Sequence, residues 1–281
     1  MAANPKSLAK ELSKRGPHSV LRGDLSLAGQ PGVVYTPAEG FNLPAVAFGH
    51  GWLTGVGKYT ALFEHLASWG FVVGAPSTER GPVPSAVGLS TDLLTTLDIC
   101  LGVRLGTGRI SVHPDRLALV GHGFGAGAAV LAAARREVAA VASLYPAPTS
   151  PRASDAAAHV TAPGLVLVGD KSVGSMTSDA AAVAESWGGD VQLRVVDKAD
   201  DNGLAQGRRM MAALGIGGNE RHTQQRTRYL LTGFLLHRLT GDKTYAAFSD
   251  PTSELPGTTS LTDPGSIDRE LGSQINQLLG R

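Results

Sequence analysis

Leu117-Ala118-Leu119-Val120-Gly121-His122-Gly123-Phe124-Gly125-Ala126 decides the fold of this chain. Leu117 to Val120 is an apolar run long enough for a buried strand, and the turn residues His113-Pro114-Asp115-Arg116 precede it. The run leads straight into three glycines spaced two apart. Behind them come Ala126, Ala128, Ala129, Val130, Leu131 and Ala132 to Ala134, helix formers whose small side chains let a helix lie close against a sheet. The stretch therefore reads as strand, tight turn, helix. A structural glycine turn and a dinucleotide-binding loop are the competing readings. The latter should follow the first strand of its domain, with an acidic residue ending the next strand. Here the run falls mid-chain, and the next apolar run, Val138 to Leu144, has no such acid.

Outward from this stretch, apolar runs alternate with helical patterns. Val33 to Pro37 reads as an early antiparallel strand, and Pro44 to Gly49 as a central one. A helix is expected from about Tyr59 to Trp69, a strand over Phe71 to Pro76, and a long helix from about Ala86 to Arg104. Val138 to Leu144, Gly164 to Gly169 and Val191 to Val196 read as further strands, with a helix between the last two, and a helix from about Glu220 to Leu239 closes the domain. Such alternation predicts an α/β fold: a mostly parallel twisted sheet of about eight strands with helices on both faces and no lid domain. One domain over residues 1–249 suits the length of 281 residues and the 42% hydrophobic content.

With Gly16-Pro17 before the first strand, Gly51-Trp52 after the third, His113-Pro114-Asp115-Arg116 ahead of the glycines, and Asp242, Tyr245 and Phe248 near the end, the chain resembles a known family. It is similar to the α/β-hydrolases of the cutinase-like polyester hydrolase, chlorophyllase and dienelactone hydrolase branch, from about Arg15 to Pro251. The resemblance implies acyl transfer by a Ser-His-Asp/Glu triad. Its nucleophile sits at the centre of Gly-x-Ser-x-Gly, its acid after the seventh strand and its histidine after the eighth. In this chain the nucleophile position carries Gly123. The acid position falls on Val173, in Gly169-Asp170-Lys171-Ser172-Val173, and the histidine position on Asp201, in Asp197-Lys198-Ala199-Asp200-Asp201. No histidine lies between His159 and His222 to take its place.

Three altered positions lead to the expectation of a pseudo-hydrolase. The resemblance keeps the backbone N–H groups of Phe124 and Trp52 as an oxyanion hole, which would bind a carbonyl oxygen at a helix start. Asp200 and Asp201 disfavour an anion there, so the expected ligand is small and apolar or ester-like, with a neutral hydroxyl, amide or ester group. A partner protein filling the same cleft is the other occupant considered. The rival reading keeps an enzyme, an ester hydrolase or lyase working through His50, His122, Asp200 and Asp201. The blander reading of His50 and His122 is structural. No short metal-ligand spacing is present, and neither metal nor cofactor is expected. At the nucleophile position glycine is also the relaxed choice, since the family's serine sits there with a strained positive φ.

A formal net charge of +1 gives no electrostatic case for nucleic acid or an anionic membrane surface. No signal peptide or membrane span is read at the N-terminus, and the expected location is cytoplasmic. The single cysteine, Cys100, falls on an apolar helical face with Leu93, Leu94, Leu97 and Leu101 and is expected to pack as a small hydrophobe. Residues 250–281 read as a Pro/Gly/Ser/Thr-rich linker followed by a short amphipathic helix carrying Ile267, Leu271, Ile275 and Leu278. That helix either packs on its own domain or receives a partner or second subunit.

Overall fold

The structure, a computed structural model, describes residues 4–106, 108–207 and 220–261. A nine-stranded sheet runs in the order β1-β2-β4-β3-β5-β6-β7-β8-β9. Its strands are β1 (Val20–Asp24), β2 (Gly32–Pro37), β3 (Gly40–Gly49), β4 (Val72–Pro76), β5 (Ile110–His122), β6 (Ala140–Leu144), β7 (Gly164–Gly169), β8 (Val191–Val196) and β9 (Thr258–Leu261). From β4 through β8 every pairing is parallel; β1, β2 and β9 are antiparallel additions at the two edges. The expected α/β-hydrolase architecture is present, with nine strands rather than about eight.

The helices are α1 (Pro5–Leu12), α2 (Thr60–Ser68), α3 (Ala86–Gly102), α4 (Phe124–Ala133), α5 (Ala153–Ala157), α6 (Ala180–Glu185) and α7 (Glu220–Thr240). They cover both faces of the sheet, so the parallel strands are buried on both sides and read as continuous apolar runs. On one face α1, α2 and α7 pack over Val46, Phe48, Val120 and Leu167; on the other α3, α4 and α6 pack over Ala47, Leu119, Val141 and Val166. Phe48 anchors the first core, with its ring 4.8 Å from Tyr59 and 5.0 Å from Phe63. Each such buried aromatic contributes roughly 1.5–3 kcal/mol relative to exposure. Cys100 is fully buried in the second core, where burial pushes its thiol up to about 12.

Two expectations change. His113-Pro114-Asp115-Arg116, read as a turn, lies inside β5, where the pairing with β3 shifts register between Gly40 and Ala45 and absorbs the proline as an irregularity. The stretch beyond 249, read as a linker, contributes β9 to the sheet. Backbone partners on β8 make it a strand, and a polar clasp holds its approach. Gln192 Nε2 donates to Phe248 O, and the buried Arg194 donates to Gln192 Oε1, Asp250 O and Ser253 O. The helix positions Ile267, Leu271, Ile275 and Leu278 lie outside the described residues.

Candidate functional site

The turn from β5 into α4 is built by steric necessity. A Cβ on Gly121 would stand 1.9 Å from Gly125 O, and one on Gly125 would stand 2.3 Å from the backbone of Gly49. Only glycine lets α4 sit this close to β3 and β5. Gly123 is glycine for another reason. Its φ is 56° and ψ −115°, a region costly for any residue with a side chain, yet a Cβ there would meet nothing nearer than Gly51 Cα at 3.9 Å. The turn is pinned by Gly123 N–H donating to Leu144 O at 3.0 Å, while Gly123 O accepts from Ala126 and Ala147. The turn is a sharp strand-to-helix elbow with a hydrogen atom where a side chain would project.

Above the elbow lies a cleft of about 280 Å³. Of the residues singled out in the sequence, Trp52, His122, Gly123, Phe124, Asp200 and Asp201 line it. Tyr145, Thr54 and Ser172 line it too. His50 and Val173 are not among its walls. His50 is fully buried, with Nδ1 3.0 Å from Gly51 O and Nε2 2.7 Å from Thr78 O, so its ring ties two loops together. Val173 lines a separate pocket with Val168, Met176 and Leu193, whereas Ser172, one residue earlier, faces the cleft.

His122 is held from both ends. Its Nδ1 lies 2.7 Å from the Tyr59 hydroxyl and its Nε2 2.6 Å from the backbone carbonyl of Asp201. The Tyr59 hydroxyl accepts from Gly51 N–H, leaving its own proton for Nδ1, and Nε2–H then donates to the carbonyl. The chain Gly51–Tyr59–His122–Asp201 thus joins the loop after β3, the N-cap of α2, the elbow and the loop after β8. Tyr145 packs edge-on against the His122 ring, adopts φ 52°, and bonds Thr227 of α7 through its hydroxyl. Neither tyrosine was identified from sequence. Their partners lie 63 and 82 residues away, beyond the reach of any local pattern.

The acid wall is similarly engaged. Asp201 Oδ1 accepts from Gly169 N–H at 2.8 Å, which brings the loop after β8 onto the end of β7. Burial pushes the Asp201 carboxyl above its ordinary range. Hydrogen bonds from Ser172 and Gly169 N–H pull it back, and the charges of Asp200 and Asp170 push it up again. Asp200 caps the following 3₁₀ turn by accepting from Asn202 N–H, and its own N–H donates to Thr223 of α7. Asp170 accepts from Lys198 N–H and is a loop brace. Glu79 accepts from Ser85 N–H in the turn that also receives the Trp52 indole N–H at Pro82 O, so this loop supports the rim.

The N–H of Phe124 occupies the first position of α4, where a helix supplies no intrahelical acceptor, and with Trp52 it borders the cleft at the positive end of the helix dipole. The site can therefore offer N–H donors from the elbow side, carboxylates from the opposite side, and apolar surface from Trp52, Phe124 and Tyr145. Among the described residues, no group of three or more His, Cys, Asp or Glu side chains is arranged to hold a metal ion, and no helix is long and apolar enough to cross a membrane. The sequence profile described as PETase, PET hydrolase-like, matches residues 3–249. No curated protein matches the chain significantly.

Proposed function

The chain belongs to the PET hydrolase-like family of α/β-hydrolases, and on that premise we propose that it is a pseudo-hydrolase whose former active-site cleft binds a small apolar or ester-like ligand, or a protein partner. Gly123 carries the reading: the elbow holds a nucleophile's backbone geometry and presents no attacking atom. Supporting it, the His122 ring nitrogens are engaged by Tyr59 and a backbone carbonyl, and those of His50 by two carbonyls, so neither ring is placed as a general base over the elbow. Asp201 stands where the family resemblance puts the histidine. We further propose cytoplasmic residence, and that the segment carrying Ile267 to Leu278 serves either self-packing or association.

The rival, an ester hydrolase or lyase using His50, His122, Asp200 and Asp201, draws on one observation. Asp201 is a partly buried carboxyl with a raised pKa, hydrogen-bonded to Ser172 in the cleft wall, and perturbed groups of this kind concentrate at catalytic sites. Hydrolysis of short- and medium-chain p-nitrophenyl esters by the wild type, beside Asp201→Asn, Ser172→Ala and His122→Ala, separates the two. We expect turnover no higher than in the variants. Turnover abolished by one of them would replace the pseudo-hydrolase reading with the rival. Binding is checked by the fluorescence of Trp52, with Trp52→Phe as control, on titrating a medium-chain aliphatic amide; an unchanged signal from the wild type counts against a ligand cleft.

A further inference from the structure

A second groove, of about 420 Å³, lies between α1 and α7 and is separate from the elbow cleft. The register of α7 keeps the two apart. Thr223 and Thr227 face the elbow side, meeting Asp200 and Tyr145, while His222 and Arg226 line the groove. Residues one position apart on a helix point about 100° away from each other, which places these two pairs on different faces.

Lys6 and Lys10 of α1 line the opposite wall. Both walls thus carry i, i+4 pairs of basic side chains, Lys6/Lys10 and His222/Arg226, and no carboxylate lines the groove among the described residues. Lys6 and Lys10 repel each other at i, i+4, and the Arg226 guanidinium on the opposite wall adds to the cost. The arrangement is also enforced. Leu8 and Leu12 bury the other face of α1 against the core containing α7, so the lysines are held at the groove. Glu220 does not neutralise them, being engaged by Gly207 N–H and Gln224.

Arg226 supplies an independent observation. Its guanidinium lies flat against Gly257: a Cβ there would stand 2.7 Å from Nε and 2.8 Å from Cζ, and Gly257 has φ +67°. A side chain at that position would have to displace the guanidinium. In this pose Nη1 is shielded from solvent and has no acceptor among the described residues. Asp197 N–H donates to Gly257 O, yet Arg226 forms no ion pair with Asp197 or any other acid among the described residues. A guanidinium without an ion-pair partner, in a groove that also holds two lysines, suits an acceptor with more than one negative charge. A carboxylate brings one charge; a phosphate monoester carries about −1.5 to −2 and three acceptor oxygens.

We propose that the α1–α7 groove is a binding site for a phosphate group, gripped by the Arg226 fork and by Lys6 and Lys10 as point charges. The site is independent of the chemistry at the elbow and stands whether or not the pseudo-hydrolase reading holds. The phosphate belongs either to a free anion or to a lipid headgroup.

The test is calorimetric titration of the full chain with inorganic phosphate, against sodium chloride at matched ionic strength, together with sedimentation with vesicles containing phosphatidic acid in phosphatidylcholine. Saturable binding of phosphate, weakened about tenfold or more in Arg226→Gln and several-fold in Lys6→Gln/Lys10→Gln, supports the proposal with a free anion as source. Vesicle binding lost in the same variants, with no response to free phosphate, supports it with a lipid headgroup as source. Binding to neither, or binding undiminished in the variants, overturns it. The lysine double variant changes only exposed side chains and keeps the test valid if Arg226→Gln does not fold.

Discussion

The elbow between β5 and α4 and the paired loops after β7 and β8 form the two sides of one cleft, and they are fixed in different ways. The elbow is set by backbone contact: Gly121 and Gly125 are dictated by distances of 1.9 Å and 2.3 Å that leave no room for a methyl group. The loops are set by polar side chains answering backbone groups across the sheet end, Asp201 to Gly169, Asp170 to Lys198 and Asp200 to Asn202. A contact requirement of the first kind persists whatever chemistry the site performs, because relaxing it moves a helix off the core. Hydrogen-bonding loops tolerate exchange of residue type, provided that each backbone group still finds a partner. The elbow is thus determined by close contact, and the loops by which backbone groups find a partner.

The sharpest way to break this comparison is Gly121→Ala. We expect a loss of about 4 kcal/mol or more, at the exceptional end for a point change, since the obstacle is backbone rather than a movable side chain. Urea unfolding measures it, and a loss below 1 kcal/mol would mean that the elbow is not contact-determined. Next in size is an effect belonging to neither region, which any pH study of the loops has to remove first. Burial, with the charge of Arg228 adding to it, lowers His65 from 6.5 to about 4. Between those values the unfolded chain binds the proton and the folded one does not, so stability is full above 6.5 and falls as pH drops towards 4, by about 3 kcal/mol. His65→Gln, which can keep the bond to Thr232, should flatten that slope; a slope unchanged in the variant would assign the acid loss to other groups.

The same contrast explains what was legible in the sequence. Gly164–Gly169 appears with the bounds its apolar run suggests, because a parallel strand buried on both faces is written as a continuous apolar run. The elbow was legible because glycine is a direct record of close approach and positive φ. Thr258–Leu261 was not, since its strand character comes from the open edge of β8 and from the Arg194 clasp rather than from its own pattern. Nor was the burial of His50, which depends on a carbonyl 28 residues away. For the acid position the family resemblance pointed to Val173, while it is Ser172 that lines the cleft and Val173 a separate pocket.

Gly123→Ser sharpens the comparison further, since this one elbow position is limited by φ and not by space. With 3.9 Å to the nearest atom the serine fits, so only backbone strain remains, and we expect a loss of about 1–2 kcal/mol. Thermal unfolding measures the loss. Ester hydrolysis should stay at the wild-type level, because a serine there still lacks a base placed to take its proton. A gain in stability would show that the turn does not hold Gly123 in the strained region, and a gain in turnover would show that His122 can leave Tyr59 to act as that base.

The smallest effect tests the loop side. Because the folded-state pKa of Asp201 is raised, the carboxyl is protonated in both states at low pH and carries no penalty there. As pH rises past its unfolded value towards the folded one, the unfolded chain ionises first and the fold loses stability. Above that window the buried charge is a standing cost. Asn in its place keeps an oxygen for Gly169 N–H and a polar group for Ser172 while removing the charge beside Asp200 and Asp170. Asp201→Asn should therefore melt slightly higher than the wild type at pH 7, with the difference vanishing near pH 3, measured in the His65→Gln background. A variant that melts lower at pH 7 would mean that the ionised carboxylate is itself required by the loops. The cleft's second side would then be as tightly determined as its first, by charge instead of contact.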